Sequence, residues 1–170
     1  MSENNITKEK KEIEIPESFE LDTLEDLKKS VGKILAVDFG DTRTGLAISD
    51  ASRFLASGIG CISPGGIDRT AVAVAQTAKE QGAVAVIVGL PVNMDGSEGG
   101  RALRCRKFAY MVRENCGLTV AMFDERMTTM TASRYLNETN TRGKKRKGVI
   151  DTLSAQIILQ NCLDRLKYMN

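Results

Sequence analysis

The chain alternates between short apolar runs and amphipathic stretches from residue 33 onward. Apolar runs bounded by glycine, proline or polar clusters predict strands, whereas apolar positions spaced three or four residues apart predict helices. We therefore expect strands over residues 33–39, 45–49, 54–62, 83–90 and 118–123, and helices over residues 67–81, 97–115, 128–137 and 149–169. A polar, basic loop is expected over residues 138–148.

The order of these elements, β-β-β-α-β-α-β-α-α, predicts the fold class. Three consecutive strands form a meander, and the later strands alternate with helices, which makes crossover connections. Residues 83–90 are the most hydrophobic run and suit a central strand that is buried on both faces. We therefore predict an α/β domain over residues 33–170, with a mixed five-stranded sheet flanked by helices.

Residues 1–32 differ from the rest of the chain in charge. They contain five lysines and nine acidic residues, and Leu21, Leu24 and Leu27 predict only one short helix, starting near Asp22. We expect this segment to be a flexible N-terminal extension. The chain has 24 basic and 22 acidic residues in all, so residues 33–170 keep 19 and 13 and have a net charge of +6. This excess suits a polyanionic partner such as nucleic acid.

The composition excludes several classes of protein. The 170 residues include no histidine, which excludes Ser-His and Cys-His nucleophile systems and the usual zinc sites. No run of about 18 apolar residues occurs, so we expect no membrane span. The four cysteines are scattered among apolar neighbours, and we expect them to be buried free thiols in the cytoplasm. An enzyme of this composition would use carboxylates, lysines, hydroxyls or a hard metal ion.

Three acidic residues lie where a site is expected. Asp38 ends the first strand, on the apolar face of that strand, and Glu125 follows the last strand, at the end where open α/β sheets bind ligands. Asp151 lies in the first turn of the last predicted helix, on an apolar face that packs on the sheet.

Each of these positions also has a structural explanation. Asp38 could begin a turn before Gly40. Asp124 or Thr128 could cap the next helix, and the helix dipole could favour Asp151 in a first turn.

Taken together, three converging carboxylates would repel one another unless a divalent cation neutralised them. Oxygen ligands without histidine or thiolate favour Mg²⁺ or Mn²⁺. Two such ions about 4 Å apart can activate water and stabilise the leaving oxygen in phosphodiester hydrolysis. We therefore predict that Asp38, Glu125 and Asp151 are the catalytic and metal-binding residues, with two bound ions.

Two further segments favour contact with a polynucleotide backbone. Residues 142–147 contain five positive charges, although a charge run is usually a solvated loop. Residues 89–100 are rich in glycine and open a helix, where anions bind readily. Few aromatic residues are available for base stacking, so we expect backbone and shape recognition. The predicted contacts in these segments are Asn93, Ser97, Lys144, Lys145, Arg146 and Lys147.

Four sequence motifs, in order, resemble those of the YqgF/RuvX family. The stretches AVDFG (36–40) and RTGLAISD (43–50) are similar to its opening motif, and residues 89–99 resemble its GLPxNMDGSEG loop. The stretch DERMTT (124–129) resembles its DERLTT motif, and KGVID (147–151) with the helix after it resembles its final motif. Three departures are Asp41 in place of a small polar residue, Gly100 in place of proline, and the acidic extension.

The resemblance implies a ribonuclease H-like fold of the RuvC kind. It also implies a nuclease that matures the 5′ end of the 16S ribosomal RNA precursor or resolves Holliday junctions. The family's acidic triad carries over onto Asp38, Glu125 and Asp151, and Arg43 and Arg126, which lie in two of the motifs, join the expected nucleic-acid contacts. The implied partners are structured RNA or branched DNA, and ribosomal precursor particles, for a monomer or homodimer.

Two other functions compete with the nuclease. Asp-x-Gly followed by a hairpin also occurs in actin-like and sugar-kinase-like phosphotransferases, but those enzymes need two such domains, and 138 residues leave no room for them. A non-catalytic RNA-binding factor of ribosome assembly could keep the same fold, because the fold and the basic segment suffice for binding.

Overall fold

The computed structural model describes residues 13–127 and 144–170. The strands are β1 (Lys33–Asp38), β2 (Thr44–Ser49), β3 (Ala56–Ile62), β4 (Ala83–Leu90) and β5 (Thr119–Asp124). The helices within these residues are α1 (Leu24–Lys29), α2 (Ile67–Glu80), α3 (Gly100–Cys116) and α4 (Lys144–Tyr168), and a 3₁₀ turn covers Glu125–Met127. The five predicted strands are confirmed. The helix predicted over residues 128–137 lies outside the described residues.

The strands form one sheet in the order β3-β2-β1-β4-β5. Strand β1 pairs antiparallel with β2, which pairs antiparallel with β3, whereas β1 and β4, and β4 and β5, pair in parallel. The predicted mixed five-stranded sheet is therefore confirmed. Because β1, β4 and β5 run in parallel, their carboxyl ends meet at one edge of the sheet, where the chain continues into loops.

Alternation along the strands divides the core into two layers. Leu35 and Val37 of β1 belong to the layer that α2 and α3 cover. Ile34 and Ala36 point the other way and pack with α4 and with Leu27 of α1. Strand β4 is buried along almost its whole length because helices cover both of its faces. The predicted sheet-facing side of the last helix is confirmed by its buried residues Ala155, Ile158 and Cys162.

Residues 13–32, the described part of the predicted flexible extension, pack against the sheet. Thr23 caps α1, and Leu27 within it is fully buried. Asp22 bridges to β5: its N–H donates to the Val120 carbonyl at 3.1 Å, and its carboxylate accepts from the Val120 N–H at 2.8 Å. The guanidinium of Arg53 donates to the carbonyl of Leu27 at 2.9 Å. These residues therefore differ from the prediction, because one leucine face and a bridge to the edge strand hold them in place.

Helix α4 begins earlier than its sequence pattern predicts. It starts at Lys144, so residues 144–148 are helical and do not belong to a loop as expected. Lysine and arginine are good helix formers, and the single Gly148 does not end the helix. Asp151 consequently lies about two turns inside α4, and the explanation of this residue by a first-turn dipole is wrong.

The cysteines are free, as predicted, but only Cys105 and Cys162 are buried, whereas Cys61 is exposed on β3 at the edge of the sheet. Edge strands leave part of each residue open to solvent, which the apolar neighbours of Cys61 in sequence do not reveal.

Among residues 13–127 and 144–170, no helix is both long and apolar enough to cross a bilayer.

Candidate active site

Asp38 is the half-buried carboxylate at the centre of the candidate site. It is the last residue of β1 and lies on the side of the sheet that α4 covers. The pKa of Asp38 is raised to about 7, chiefly by burial and also by the neighbouring carboxylates of Glu125 and Asp151, against the opposing effect of Arg101. Asp38 is therefore a carboxyl group among other acids, which is the arrangement that a cation would stabilise.

Asp124 and Glu125 have different roles although they are adjacent. Asp124 accepts hydrogen bonds from the N–H of Arg126 at 2.9 Å and from its guanidinium at 2.7 Å, and this contact lowers the pKa of Asp124. Asp124 thus caps the 3₁₀ turn. Burial raises the pKa of Glu125, and Asp124 adds to this effect. The sequence offered Asp124 as a possible cap of the following helix, and in the structure it caps the 3₁₀ turn after β5.

Two glycines let the acidic residues approach the sheet closely. A Cβ atom on Gly89, near the end of β4, would lie 2.7 Å from Oε1 of Glu125 and 2.8 Å from Cδ1 of Ile158. A Cβ atom on Gly45, in β2, would overlap the backbone carbonyl of Asp151. Side chains at these positions would push Glu125 and helix α4 away from the strand ends. Gly45 and Gly89 therefore shape the site, although sequence reasoning noted them only as parts of motifs.

The donor set has the chemistry of a site for a hard cation. Asp38, Glu125 and Asp151 supply only carboxylate oxygens, and their mutual repulsion is what a divalent ion relieves. Among the side chains that the structure describes, however, no three acids or thiols are arranged so that they could hold one metal ion. Nε of Arg43 lies 3.4 Å from Oδ2 of Asp151, so the third acid is paired with a cation of the protein itself.

Arg101 is a cation near the site that sequence reasoning missed. It follows the first residue of α3, and it lowers the pKa of both Asp38 and Glu125. Cys105 lies one turn further along α3, and its pKa is raised to about 11 by burial and then by Glu125. The signal was available, since Arg101 directly follows the glycine-rich segment that opens this helix. Asp41, which stands where the family has a small polar residue, is paired with Arg104 at 2.6 Å.

The predicted nucleic-acid contacts surround this edge unevenly. Asn93 and Ser97 are exposed, but their side chains bond to each other at 3.0 Å and close a turn at Gly96, where φ is +88°. Arg126 is held by Asp124 and also reaches the Asn93 carbonyl at 3.4 Å. The backbone of Lys144, Lys145, Arg146 and Lys147 forms the first turn of α4. The sequence predicted that these residues lie near the same edge of the sheet. The hydrogen bonds of the Asn93–Ser97 loop are visible only in the structure.

Comparison with known proteins identifies the family of this chain. The family model RuvX, described as a Holliday junction resolvase, matches residues 32–165. The chain belongs to the RuvX family. A RuvX relative from Bacillus cereus is 40% identical over 139 residues, which cover 78% of this chain and 98% of the relative. Another from Myxococcus xanthus is 39% identical over 132 residues, covering 78% and 87%. Both carry the name "Putative pre-16S rRNA nuclease".

The fold of this RuvX protein is also that of a solved resolvase. Thermus thermophilus RuvC in complex with a Holliday junction substrate aligns with a TM-score of 0.54 and 12% sequence identity. The alignment covers 82% of this chain and 98% of RuvC. The predicted family, the ribonuclease H-like fold and the membership in a family of nucleases are therefore confirmed. The roles of individual site residues stay predictions.

Proposed function

We propose that this RuvX protein hydrolyses phosphodiester bonds of the 16S ribosomal RNA precursor, with Asp38, Glu125 and Asp151 as its metal-binding catalytic residues. The observation that carries the proposal is the approach of these acids to one sheet edge: Gly45, the pairing partner of Asp38, packs on the backbone of Asp151, and Glu125 and Asp151 both raise the pKa of Asp38. Acids that served only as a turn residue, a cap and a helix-start residue would have no reason to converge. The names of the relatives support ribosomal RNA as the substrate.

The ion chemistry follows from the donor set. Mg²⁺ or Mn²⁺, two ions in our proposal, would activate the attacking water and stabilise the leaving oxygen. The acidic residues of the chain would hold and orient the ions. Asp38, Glu125 and Asp151 would hold the ion, and its charge would favour the ionised form of Asp38, whose pKa is raised to about 7 chiefly by burial. Glu125 is held against Gly89, which limits where its carboxylate can lie.

Positive side chains around the edge are proposed to hold the polynucleotide backbone. Arg43 lies beside Asp151, with a quarter of its side chain exposed. Arg126, Asn93 and Ser97 belong to one hydrogen-bonded loop next to Glu125. The lysines and arginine of residues 144–147 begin the helix that carries Asp151. Contacts of this kind position a strand without reading its bases, and salt should weaken them steeply.

A cleavage assay with matched variants tests the proposal. The protein is incubated with a transcript of the 5′ region of the 16S precursor, and separately with branched DNA, in Mn²⁺, Mg²⁺ or EDTA. Asp38→Asn, Glu125→Gln and Asp151→Asn should each lower the rate by about 100-fold or more, since losing even an outer partner of a ligand costs 10–100-fold. Asp164→Asn, an exposed acid further along α4, is the control and should cut normally.

A second function remains in competition because Arg43 occupies Asp151 and no ready cluster for an ion is present among the described residues. The same surface could serve a non-catalytic RNA-binding factor of ribosome assembly. RNA binding without cleavage under any ion condition would support that function and contradict ours. Cleavage of branched DNA alone would identify a junction resolvase. The cytoplasmic location and the choice between monomer and homodimer stay predictions.

A further inference from the structure

Arg43 is held in place by the fold on both sides. It lies in the tight turn between β1 and β2, where a Cβ on Gly40 would overlap the Arg43 carbonyl. Two residues later, Gly45 packs against the backbone of α4 at Asp151. The turn and the helix contact restrict the backbone on both sides of Arg43. Its guanidinium lies next to the carboxylate of Asp151.

The contact between Arg43 and Asp151 is weak enough for each side chain to exchange its partner for another ion. The distance from Nε to Oδ2 is 3.4 Å, longer than the 2.7–2.9 Å of a strong charge-assisted hydrogen bond. The side chains of Arg43 and Asp151 are 25% and 29% exposed, so water and ions reach both. A long, partly exposed ion pair of this kind is screened by water and contributes modest stability. A guanidinium has five N–H donors, so one such group can contact a carboxylate or a phosphate.

We propose that Arg43 is an exchange residue that couples binding of the polynucleotide to binding of the divalent ion. Without nucleic acid, Arg43 neutralises Asp151 and competes with the ion for it. A backbone phosphate draws Arg43 away and removes its competition with the ion for Asp151. This inference rests on the proposed role of Asp151 as a ligand of the ion.

The charges of the site determine the direction of the coupling. Asp38, Glu125 and Asp151 carry three negative charges when ionised, and Arg43 compensates one of them. When the phosphate takes Arg43, the acids regain that charge and attract a cation more strongly. By thermodynamic linkage, the ion must then strengthen nucleic-acid binding by the same factor.

Mn²⁺ titrations of the full chain, without and with the precursor transcript, test this coupling. Calorimetry gives the affinity in short titrations at low temperature, so that little RNA is cut, and gels measure the fraction cut. Arg43→Gln should bind Mn²⁺ about 3- to 10-fold more tightly than the wild type in the absence of RNA, as expected for the loss of one competing ion pair. RNA should tighten Mn²⁺ binding about 5-fold or more in the wild type, and this effect should vanish in Arg43→Gln.

Two further variants separate charge from pairing. Arg104→Gln removes an equal charge nearby, but this residue pairs with Asp41, so Mn²⁺ binding should stay within about twofold of the wild type. Arg43→Lys keeps the charge without the planar fork and should retain part of the competition. Circular dichroism establishes that each variant is folded. If both variants of Arg43 bind Mn²⁺ no more tightly than the wild type, or keep its full RNA effect, the exchange is overturned.

The failure of this inference is distinguishable from failure of the proposed function. If Asp151→Asn abolishes Mn²⁺ binding while Arg43→Gln leaves it unchanged, the ion site stands and only the exchange is wrong. If Asp151→Asn binds Mn²⁺ as well as the wild type does, the proposed ion site itself is wrong, and the exchange falls with it.

Discussion

Replacing Gly89 with alanine should displace Glu125 while leaving the protein folded. Ordinary van der Waals contact begins at 3.4 Å, and the new Cβ would lie 2.7 Å from Oε1 of Glu125 and 2.8 Å from Cδ1 of Ile158. The carboxylate must therefore retreat by about 0.7 Å and the methyl group by about 0.6 Å. Both atoms are the ends of flexible side chains, so rotation can relieve the overlap without moving the backbone.

The displacement should affect the site more than the fold. Overpacking of a core costs about 1–3 kcal/mol, and we expect the lower end because both neighbours can rotate. Misplacing a catalytic group by about 1 Å can lower a rate by 100-fold, so a loss of about 10- to 100-fold is expected here. Cleavage of the precursor transcript in Mn²⁺, the calorimetric affinity for Mn²⁺ and urea unfolding measure the three effects on the same protein.

Gly100→Ala is the matched control, because a Cβ there meets nothing within 4 Å and the residue begins α3. It should leave Mn²⁺ affinity and stability close to those of the wild type. A Gly89→Ala protein with the wild-type Mn²⁺ affinity and rate would refute the reasoning that Gly89 limits the position of Glu125. A protein that loses activity only because it unfolds would refute the expectation that side-chain rotation absorbs the overlap.

Three further predictions follow from the fold and the charges. The pKa of Asp38 is raised from 3.8 to about 7, so the ion-free folded state binds more protons than the unfolded state between these values, and stability should fall as pH rises from 4 to 7. Urea unfolding across this window should show the slope, and Asp38→Asn should reduce it; an equal slope in both proteins contradicts the shift. Leu27→Ala should cost about 2–5 kcal/mol because Leu27 is fully buried, whereas Leu103→Ala, at a half-exposed residue, should change urea stability little. Lys145→Gln should lower the slope of log affinity for the transcript against log salt by about 1, while Lys79→Gln on α2 should not change the slope.

Periodicity in the sequence was enough to predict the sheet and its flanking helices. The alternation of Ile34 and Ala36 with Leu35 and Val37 divides β1 between two layers whatever packs on it. The uniform hydrophobicity of residues 83–90 similarly requires cover on both faces. These patterns depend on the directions of neighbouring side chains along one strand, so they can be interpreted without knowledge of long-range contacts.

The boundaries of two segments depended on packing instead. Residues 13–32 are polar enough to predict a flexible extension, yet Leu27 and the bridge from Asp22 attach them to the sheet. Helix α4 begins at Lys144, in a basic run that its charge suggested was a loop. Contacts far along the chain, such as that of Leu27 with α4, compensate the entropy of ordering a segment, and local composition does not record them.

For the site, the sequence by itself determined which groups are present: three acids, no histidine, and glycines at the strand ends. Only the tertiary structure decided how they divide the work. It assigned the cap to Asp124, put Glu125 against Gly89, and paired Asp151 with Arg43. The pKa of Asp38 likewise depends on burial and on charges that lie more than 60 residues away in the chain. Electrostatic energy depends on distance in space and on the surrounding dielectric, and both exist only once the chain has folded.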